Sequence, residues 1–135
     1  MECSSAQLCE DLVTLVKHVK AAMAKIAERH GLTNMQFYAM NVVQHSGVAT
    51  MGGVAHSLHC DASNITGIID RLVALDLITR RENADDRRAK LLELTPKGNE
   101  AIEKIIAELP EELGCNKFKA PERTQLHELI MRIVV

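Results

Sequence analysis

One stretch of this sequence decides the fold: residues 61–98, which read DASNITGIIDRLVALDLITRRENADDRRAKLLELTPKG. Asp61 is a preferred N-cap residue, and the residues after it divide between two faces at the spacing of a helix. The apolar face carries Ile65, Ile68, Ile69, Leu72 and Leu75. The opposite face carries only small or polar side chains, namely Ser63, Asn64, Thr66, Gly67, Asp70 and Arg71. The pattern therefore predicts a helix buried along one side, with a polar face left in solvent.

A β-hairpin is predicted directly after this helix. Its two strands cover residues 77–81 and 90–94, and the polar loop between them is rich in the turn-forming residues Asn and Asp. Arg87 and Arg88 lie in this loop. The hairpin is therefore expected to carry positive charge at its tip.

The segment before residue 61 predicts three helices. Apolar residues that recur every three or four positions indicate a first helix over residues 5–29. Thr33 and Gln36 form the T-x-x-Q pattern of a capping box, which predicts the start of a second helix. Thr50 is a suitable cap for a short third helix through Leu58. A tight turn then connects this third helix to the one that Asp61 caps.

The segment after the hairpin predicts two more helices. Thr95 precedes Pro96, which places a capping hydroxyl before a proline at the first helical position. This helix is expected to end at Pro110 and Gly114, and a last helix is expected over about residues 121–133. The fold class is therefore mainly α with a small β-hairpin wing: a winged helix-turn-helix.

Composition excludes several classes of function. The chain has 135 residues, which favours one domain, and aromatic residues make up only 2%, too few to stack the bases of single strands. The sequence contains no G-x-S-x-G, no glycine loop for phosphate and no H-E-x-x-H, so we predict no enzyme and no cofactor. His56, His59 and Cys60 do not match the spacing of a closed zinc site, and no metal is expected.

Location and partners are also constrained by the sequence. No apolar run reaches about 18 residues, and the N-terminus lacks the pattern of a signal peptide, so we expect a cytoplasmic protein without a membrane partner. The formal net charge is −2, which does not favour a protein that is basic over its whole surface but permits a local basic patch that binds nucleic acid.

The polar helix face and the basic hairpin together suit double-stranded DNA. A major groove accepts a helix with small polar side chains, and the predicted contacts on this helix are Ser63, Asn64, Thr66, Gly67 and Arg71. Cations on the wing are expected to contact phosphates or a groove, and these are Arg81, Arg87, Arg88 and Lys90. Two alternatives remain open. These polar and cationic residues could form an ordinary solvated surface without a DNA contact, or the chain could be a winged-helix module that binds protein instead of DNA.

The sequence resembles the MarR family of winged-helix transcription regulators, through DRLVALDLITR at residues 70–80, DRRA at 86–89 and LTPKG at 94–98. The resemblance implies a homodimer, joined by helices within residues 1–30 and 96–135, with a DNA-binding lobe over residues 33–95. It also implies a ligand- or stress-responsive repressor that binds a pseudo-palindromic operator.

The resemblance assigns roles within the wing as well. Asp86 is implied to hold the wing, while Arg87 or Arg88 enters the minor groove, with Arg88 favoured. The sequence departs from the family at His59, where the family often has glycine.

Regulation leaves two hypotheses open. The resemblance implies a possible pocket for a small-molecule effector, with His18, Met40 and His45 as candidates, although Met40 also fits a plain core position. Cys9 and Cys60 are candidate thiol sensors, but four cysteines without a C-x-x-C pair also fit idle thiols.

Overall fold

The computed structural model describes residues 2–135. Met1, the first residue of the predicted dimerisation segment, lies outside them. The helices are α1 (Ser5–Arg29), α2 (Asn34–Ser46), α3 (Met51–Ser57), α4 (Ala62–Ala74), α5 (Pro96–Glu112) and α6 (Ala120–Val134), with a 3-10 turn at Cys115–Lys117. The strands are β1 (Ala49–Thr50), β2 (Ile78–Glu82) and β3 (Lys90–Leu94). This arrangement confirms the predicted fold class, a mainly helical protein with a winged helix-turn-helix.

Side-chain caps explain where most helices begin. Thr33, Thr50, Asp61 and Thr95 each accept a hydrogen bond from the backbone N–H three residues later, at 2.8–3.2 Å. At Thr33 the capping box is complete, because the Gln36 side chain also accepts from the Thr33 N–H at 3.0 Å. These caps satisfy amide groups that the first helical turn leaves unpaired.

The sheet contains one strand that the sequence did not predict. Its three strands are antiparallel in the order β1-β3-β2, and the two-residue β1 pairs Ala49 with Leu92 of β3. The second strand begins one residue later than predicted, at Ile78. Leu77 instead donates its N–H to Leu72 O at 3.0 Å, and so closes the end of α4.

Helix α5 ends at Glu112, between Pro110 and Gly114, the two residues predicted to mark its end. Pro110 is accommodated in the last turn, because its φ is compatible with a helix although its N–H bond is missing. Leu113 still donates to Leu109 O at 2.9 Å. The helix stops before Gly114, whose φ of +76° is left-handed.

The core lies where α1, α2, α4, α5 and the sheet meet. Its fully buried members include Ile26, Met40, Ile69, Leu92 and Ile102. Helix α4 buries its apolar face in this core and leaves its polar face outside. Helix α6, in contrast, buries none of its residues.

Candidate nucleic-acid interface

The turn between α3 and α4 sets the direction of the exposed helix. His59 lies in this turn with a left-handed φ of +52°, and Cys60 donates its N–H to Ala55 O at 2.9 Å. Asp61 then caps α4, because its Oδ1 accepts from the Asn64 N–H at 2.8 Å and from the Ser63 hydroxyl at 2.9 Å. These hydrogen bonds lower the pKa of Asp61, the bond from Asn64 most of all.

The five residues predicted to contact DNA on this helix all lie exposed on α4: Ser63, Asn64, Thr66, Gly67 and Arg71. Two of them already have local partners, since the Thr66 hydroxyl donates to Ala62 O at 2.7 Å and the Ser63 hydroxyl bonds Asp61. Within residues 2–135 the side chains of Asn64 and Arg71 have no hydrogen-bond or ion-pair partner. Their polar groups are therefore available to an external ligand.

Asp86 organises the loop of the wing. Its Oδ1 accepts from the Arg88 N–H at 3.0 Å, and its carbonyl accepts from the Ala89 N–H at 3.0 Å. Asn83 supports the other side of the loop, because its Oδ1 accepts from the Asp85 N–H at 3.0 Å. These bonds fix the backbone that carries Arg88.

The four predicted wing cations divide into two groups. Arg81 lies 4.0 Å from a carboxylate oxygen of Glu93, and Lys90 lies 3.1 Å from one of Glu82. Arg87 and Arg88 are exposed, and neither forms an ion pair with the residues that the structure describes. Arg88 and Lys90 also line a cleft beside Thr50 at the start of α3.

An ion pair whose carboxylate partner the sequence did not identify connects the wing to α4. Arg80 on β2 donates from Nη1 to Oδ1 of Asp70 on α4 at 2.6 Å. The two residues are ten positions apart, so no local spacing rule pairs them. The contact holds the base of the hairpin against the exposed helix.

The start of α5 holds the turn that follows α4. Lys97 Nζ donates to Leu75 O at 3.1 Å, the Thr95 hydroxyl donates to Asp76 O at 2.6 Å, and the Thr95 N–H donates to Leu77 O at 3.1 Å. Three successive carbonyls are thus bonded to one short segment. We call this contact the α4–α5 junction.

The predicted effector residues occupy different environments. Met40 is fully buried in the core, as the alternative core interpretation expected. His18 is exposed on α1, and His45 is exposed on α2, where its Nδ1 lies 2.9 Å from Asn41 O. Their role in effector binding stays a prediction.

The cysteines and candidate metal ligands are dispersed. Cys9 is exposed on α1, whereas Cys60 is half-buried with Sγ 3.6 Å from Leu58 O. Within residues 2–135 no group of three His, Cys, Asp or Glu residues lies close enough to hold a metal ion. Across the same residues, no helix is both long enough and apolar enough to cross a bilayer.

Comparison with known proteins identifies similar transcription regulators. A family model described as "MarR family" matches residues 30–89. The HTH-type transcriptional regulator YhbI of Bacillus subtilis (strain 168) is 27% identical over 91% of this chain and 79% of its own length. The HTH-type transcriptional repressor MdtR of the same organism is 29% identical over 77% of this chain and 70% of its own length.

Solved structures show the same fold. Apo MarR from E.coli superimposes with a TM-score of 0.83 at 19% identity, covering 100% of this chain and 99% of that one. A mutant of that protein, complexed with operator DNA, superimposes with a TM-score of 0.74 at 20% identity, covering 95% and 94% of the two chains.

Proposed function

We propose that this chain is a MarR-type homodimeric repressor that binds a pseudo-palindromic operator in double-stranded DNA, supported by the family model over residues 30–89 and by the similar transcriptional regulators. The observation that carries the proposal is the exposed polar face of α4 beside a wing with two unpaired arginines. Each subunit places α4 in a major groove, and the two-fold axis sets half-sites about one helical turn apart.

Asn64 and Arg71 are the side chains on α4 best suited to read base edges. Both are exposed and have no partner among the described residues, so neither must break an internal bond in order to contact DNA. An Asn amide pairs with adenine through two hydrogen bonds, and an Arg guanidinium pairs with guanine in the same way. Asp61 supports this role because it fixes the first turn of α4.

Arg87 and Arg88 supply the electrostatic part of binding. They carry two positive charges that no described carboxylate neutralises, whereas Arg81 and Lys90 are already near Glu93 and Glu82. Cations that replace condensed counterions on DNA produce affinity that falls steeply with salt. The bonds of Asp86 hold the loop, so we propose that Asp86 positions Arg88 for a phosphate or the minor groove.

Fluorescence anisotropy tests the proposal directly. The protein is titrated into its own upstream intergenic duplex and into a scrambled duplex, at low and near-physiological salt. We expect tighter binding to the first duplex and a steep loss of affinity as salt rises. Failure to bind either duplex would refute DNA binding and favour a winged-helix module that binds protein.

Two variants separate base contact from charge. Asn64→Ala is expected to reduce the difference in affinity between the two duplexes. Arg87→Ala with Arg88→Ala is expected to weaken binding to both duplexes. It should also lower the slope of log affinity against log salt by about one for each phosphate that the wing no longer neutralises. The matched control is Lys117→Ala with Lys119→Ala, which removes two exposed positive charges outside the proposed DNA interface. Equal reductions of affinity in both double variants would contradict a specific role for the wing.

The surface area of the chain supports a dimer. Its accessible surface is 9453 Å², whereas a compact monomer of 14.9 kDa exposes about 7,000 Å². Part of this additional accessible surface belongs to large exposed apolar side chains on α1 and α6: Leu8, Val13, Leu15, Val16, Leu126, Leu129, Ile130 and Ile133. Some of these line a cleft of about 450 Å³ between the two helices. A second subunit would cover this surface, since α6 buries none of its residues alone.

Sedimentation velocity tests the dimer. Leu129→Glu places a charge in the middle of the apolar face of α6, so we expect the variant to sediment as a monomer. Val48→Glu makes the same change at an apolar residue that is 41% exposed but lies outside α1 and α6, and it should leave a dimer. A Leu129→Glu protein that stays dimeric would contradict this interface.

Regulation follows from the spacing of the two recognition helices. A ligand or oxidant that favours one spacing shifts the population toward or away from the form that fits the operator. Binding near His18 and His45, or oxidation of Cys9 or Cys60, are the proposed routes. Loss of DNA binding on peroxide treatment that persists in a Cys9→Ser, Cys60→Ser double variant would count against the thiol route.

A further inference from the structure

Two histidines lie on the outer surface of the helix-turn-helix, outside the set of residues predicted to contact DNA. His56 is in the last turn of α3, His59 is in the turn that leads to α4, and both are exposed. Among residues 2–135 the only imidazole within 4 Å of a carboxylate is that of His30, beside Glu108. The rings of His56 and His59 are therefore available to an external ligand.

The face of α3 that carries His56 is continuous with the wing. Gly52 and His56 are four positions apart and so share one side of the helix, opposite the buried Val54. Gly52 also lines a cleft of about 320 Å³ together with Arg88 and Lys90 of the wing. This face of α3 therefore begins beside cations that are proposed to contact DNA, and the chain beyond it leads directly to the start of α4.

Gly52 is a second indication that a ligand comes close to this face. A Cβ built on Gly52 meets no atom within 4 Å, and its φ is not left-handed, so neither packing nor backbone geometry requires glycine there. Glycine weakens a helix relative to alanine. The missing side chain leaves room for another molecule to approach the backbone of α3.

The geometry of helix-turn-helix proteins indicates what that molecule is. The first helix of the motif crosses the sugar-phosphate backbone, while the start of the second helix contacts base edges. In this chain these helices are α3 and α4. The exposed side of α3 and the turn after it should therefore meet phosphates when α4 lies in a major groove. A protonated imidazole donates from both ring nitrogens and carries the positive charge that a phosphate prefers.

No acidic group near α3 is free to pair with these imidazoles. Asp70 and Glu93 are already near arginines of β2. Asp61 and Asp86 accept backbone N–H groups within their own segments. A phosphate would therefore be the first anionic partner of either ring. The titratable residues on the elements around α3 are Tyr38 and His45 on α2, Asp70 and Arg71 on α4, Lys90 and Glu93 on β3, Cys60 and Asp61 in the turn, and Asp86 and Arg88 across the cleft.

We propose that His56 and His59 contact operator phosphates in their protonated form, so that operator binding strengthens as the pH falls from about 8 to about 6. This inference rests on the proposed function and extends the DNA interface to α3 and the turn. Histidine gains its proton within this range, whereas the phosphodiesters of DNA keep their charge. Each protonated imidazole that replaces a counterion raises both the affinity and its dependence on salt.

Fluorescence anisotropy at two pH values tests the inference. The wild-type protein is titrated into its upstream intergenic duplex at pH about 6 and about 8, over a range of salt concentrations. An exposed ion pair contributes about threefold in affinity, so several such contacts in the homodimer should make binding at least about tenfold tighter at the lower pH. The slope of log affinity against log salt should become steeper by about one for each imidazole that contacts a phosphate.

Variants assign the effect to the two histidines. His56→Gln with His59→Asn removes both protons, and asparagine tolerates the left-handed φ of +52° at position 59. This double variant should lose most of the increase in affinity at the lower pH and show nearly equal salt slopes at the two pH values. The matched control is His127→Gln, which removes an exposed histidine on α6 and should retain the wild-type increase. If the double variant fails to fold, His56→Gln alone should lose about half of the increase on a logarithmic scale.

The outcomes separate this inference from the proposed function. Wild-type affinity for the duplex that does not change with pH, or a double variant that retains the full increase, would overturn the inference and leave DNA binding intact. Equal losses in the double variant and in His127→Gln would also overturn it, because the effect would then not belong to α3 and the turn. Absence of binding at both pH values would instead refute the proposed function, and this inference with it.

Discussion

Replacement of Gly98 by alanine tests whether the α4–α5 junction is as tight as the structure shows. A Cβ built on Gly98 lies 2.0 Å from Leu77 O, although real Cβ contacts essentially never fall below 3.0 Å. The neighbouring atom is a backbone carbonyl, so no flexible side chain can move aside. The start of α5 must therefore separate from the turn after α4 by about 1 Å.

The expected cost is the balance of three contributions. Overpacking of this size costs about 1–3 kcal/mol. Separation also strains the hydrogen bond from Thr95 N–H to Leu77 O, now 3.1 Å, and that from Gly98 N–H to Thr95 Oγ1, now 2.9 Å, each worth about 1 kcal/mol. Alanine recovers about 1 kcal/mol through its higher helix propensity. We expect Gly98→Ala to lower the free energy of unfolding by about 2–4 kcal/mol.

Urea unfolding at a fixed protein concentration, followed by circular dichroism, measures this difference. Gly67→Ala on α4 is the matched control, because a Cβ there meets no atom within 4 Å and should raise stability by up to about 1 kcal/mol. If Gly98→Ala were as stable as Gly67→Ala, the close approach at the junction would be wrong.

Two further predictions concern the turn before α4 and the cap of α4. His59→Gly should raise the free energy of unfolding by about 0.5–1 kcal/mol, measured by urea titration, because glycine adopts the φ of +52° without steric cost; a loss of stability would contradict the left-handed turn. Asp61→Ala should be less stable than wild type at neutral pH, since the carboxylate accepts the N–H of Asn64 only in the folded state. Folding lowers the pKa of Asp61, so the carboxylate stabilises the folded protein above its unfolded pKa, and this stabilisation is lost as the pH falls through its folded pKa. The melting temperatures of the two proteins should therefore converge in acid. A difference in melting temperature that persists in acid would contradict this cap.

Local sequence rules predicted the helix starts well. The caps at Thr33, Thr50, Asp61 and Thr95 use bonds between a side chain and an amide three residues away, so the whole interaction is visible in a four-residue window. The polar and apolar faces of α4 were predicted for a similar reason, because helical periodicity alone separates them.

Features that depend on distant partners were missed. The strand β1 exists only because Ala49 pairs with Leu92, and two residues carry no periodicity of their own. The ion pair of Arg80 with Asp70 likewise joins two elements whose packing had to be known first.

The effector candidates show a third kind of limit. A sequence can place Met40 on an apolar face but cannot say whether that face meets a ligand or the core, and in the structure it is fully buried. A cleft beside Lys97 is formed by three separate segments, the end of α1, the turn after α4 and α5. Only their packing brings these segments together.

In the proposed homodimer, the exposed face of α6 links the lifetime of the protein to its abundance. A lone subunit shows Leu126, Leu129, Ile130 and Ile133 to water, and such surface attracts chaperones and favours aggregation and proteolysis. By mass action, dilution increases the fraction of lone subunits. A cell that makes little of this protein would therefore degrade each copy faster, and the steady-state level would fall more steeply than the rate of synthesis.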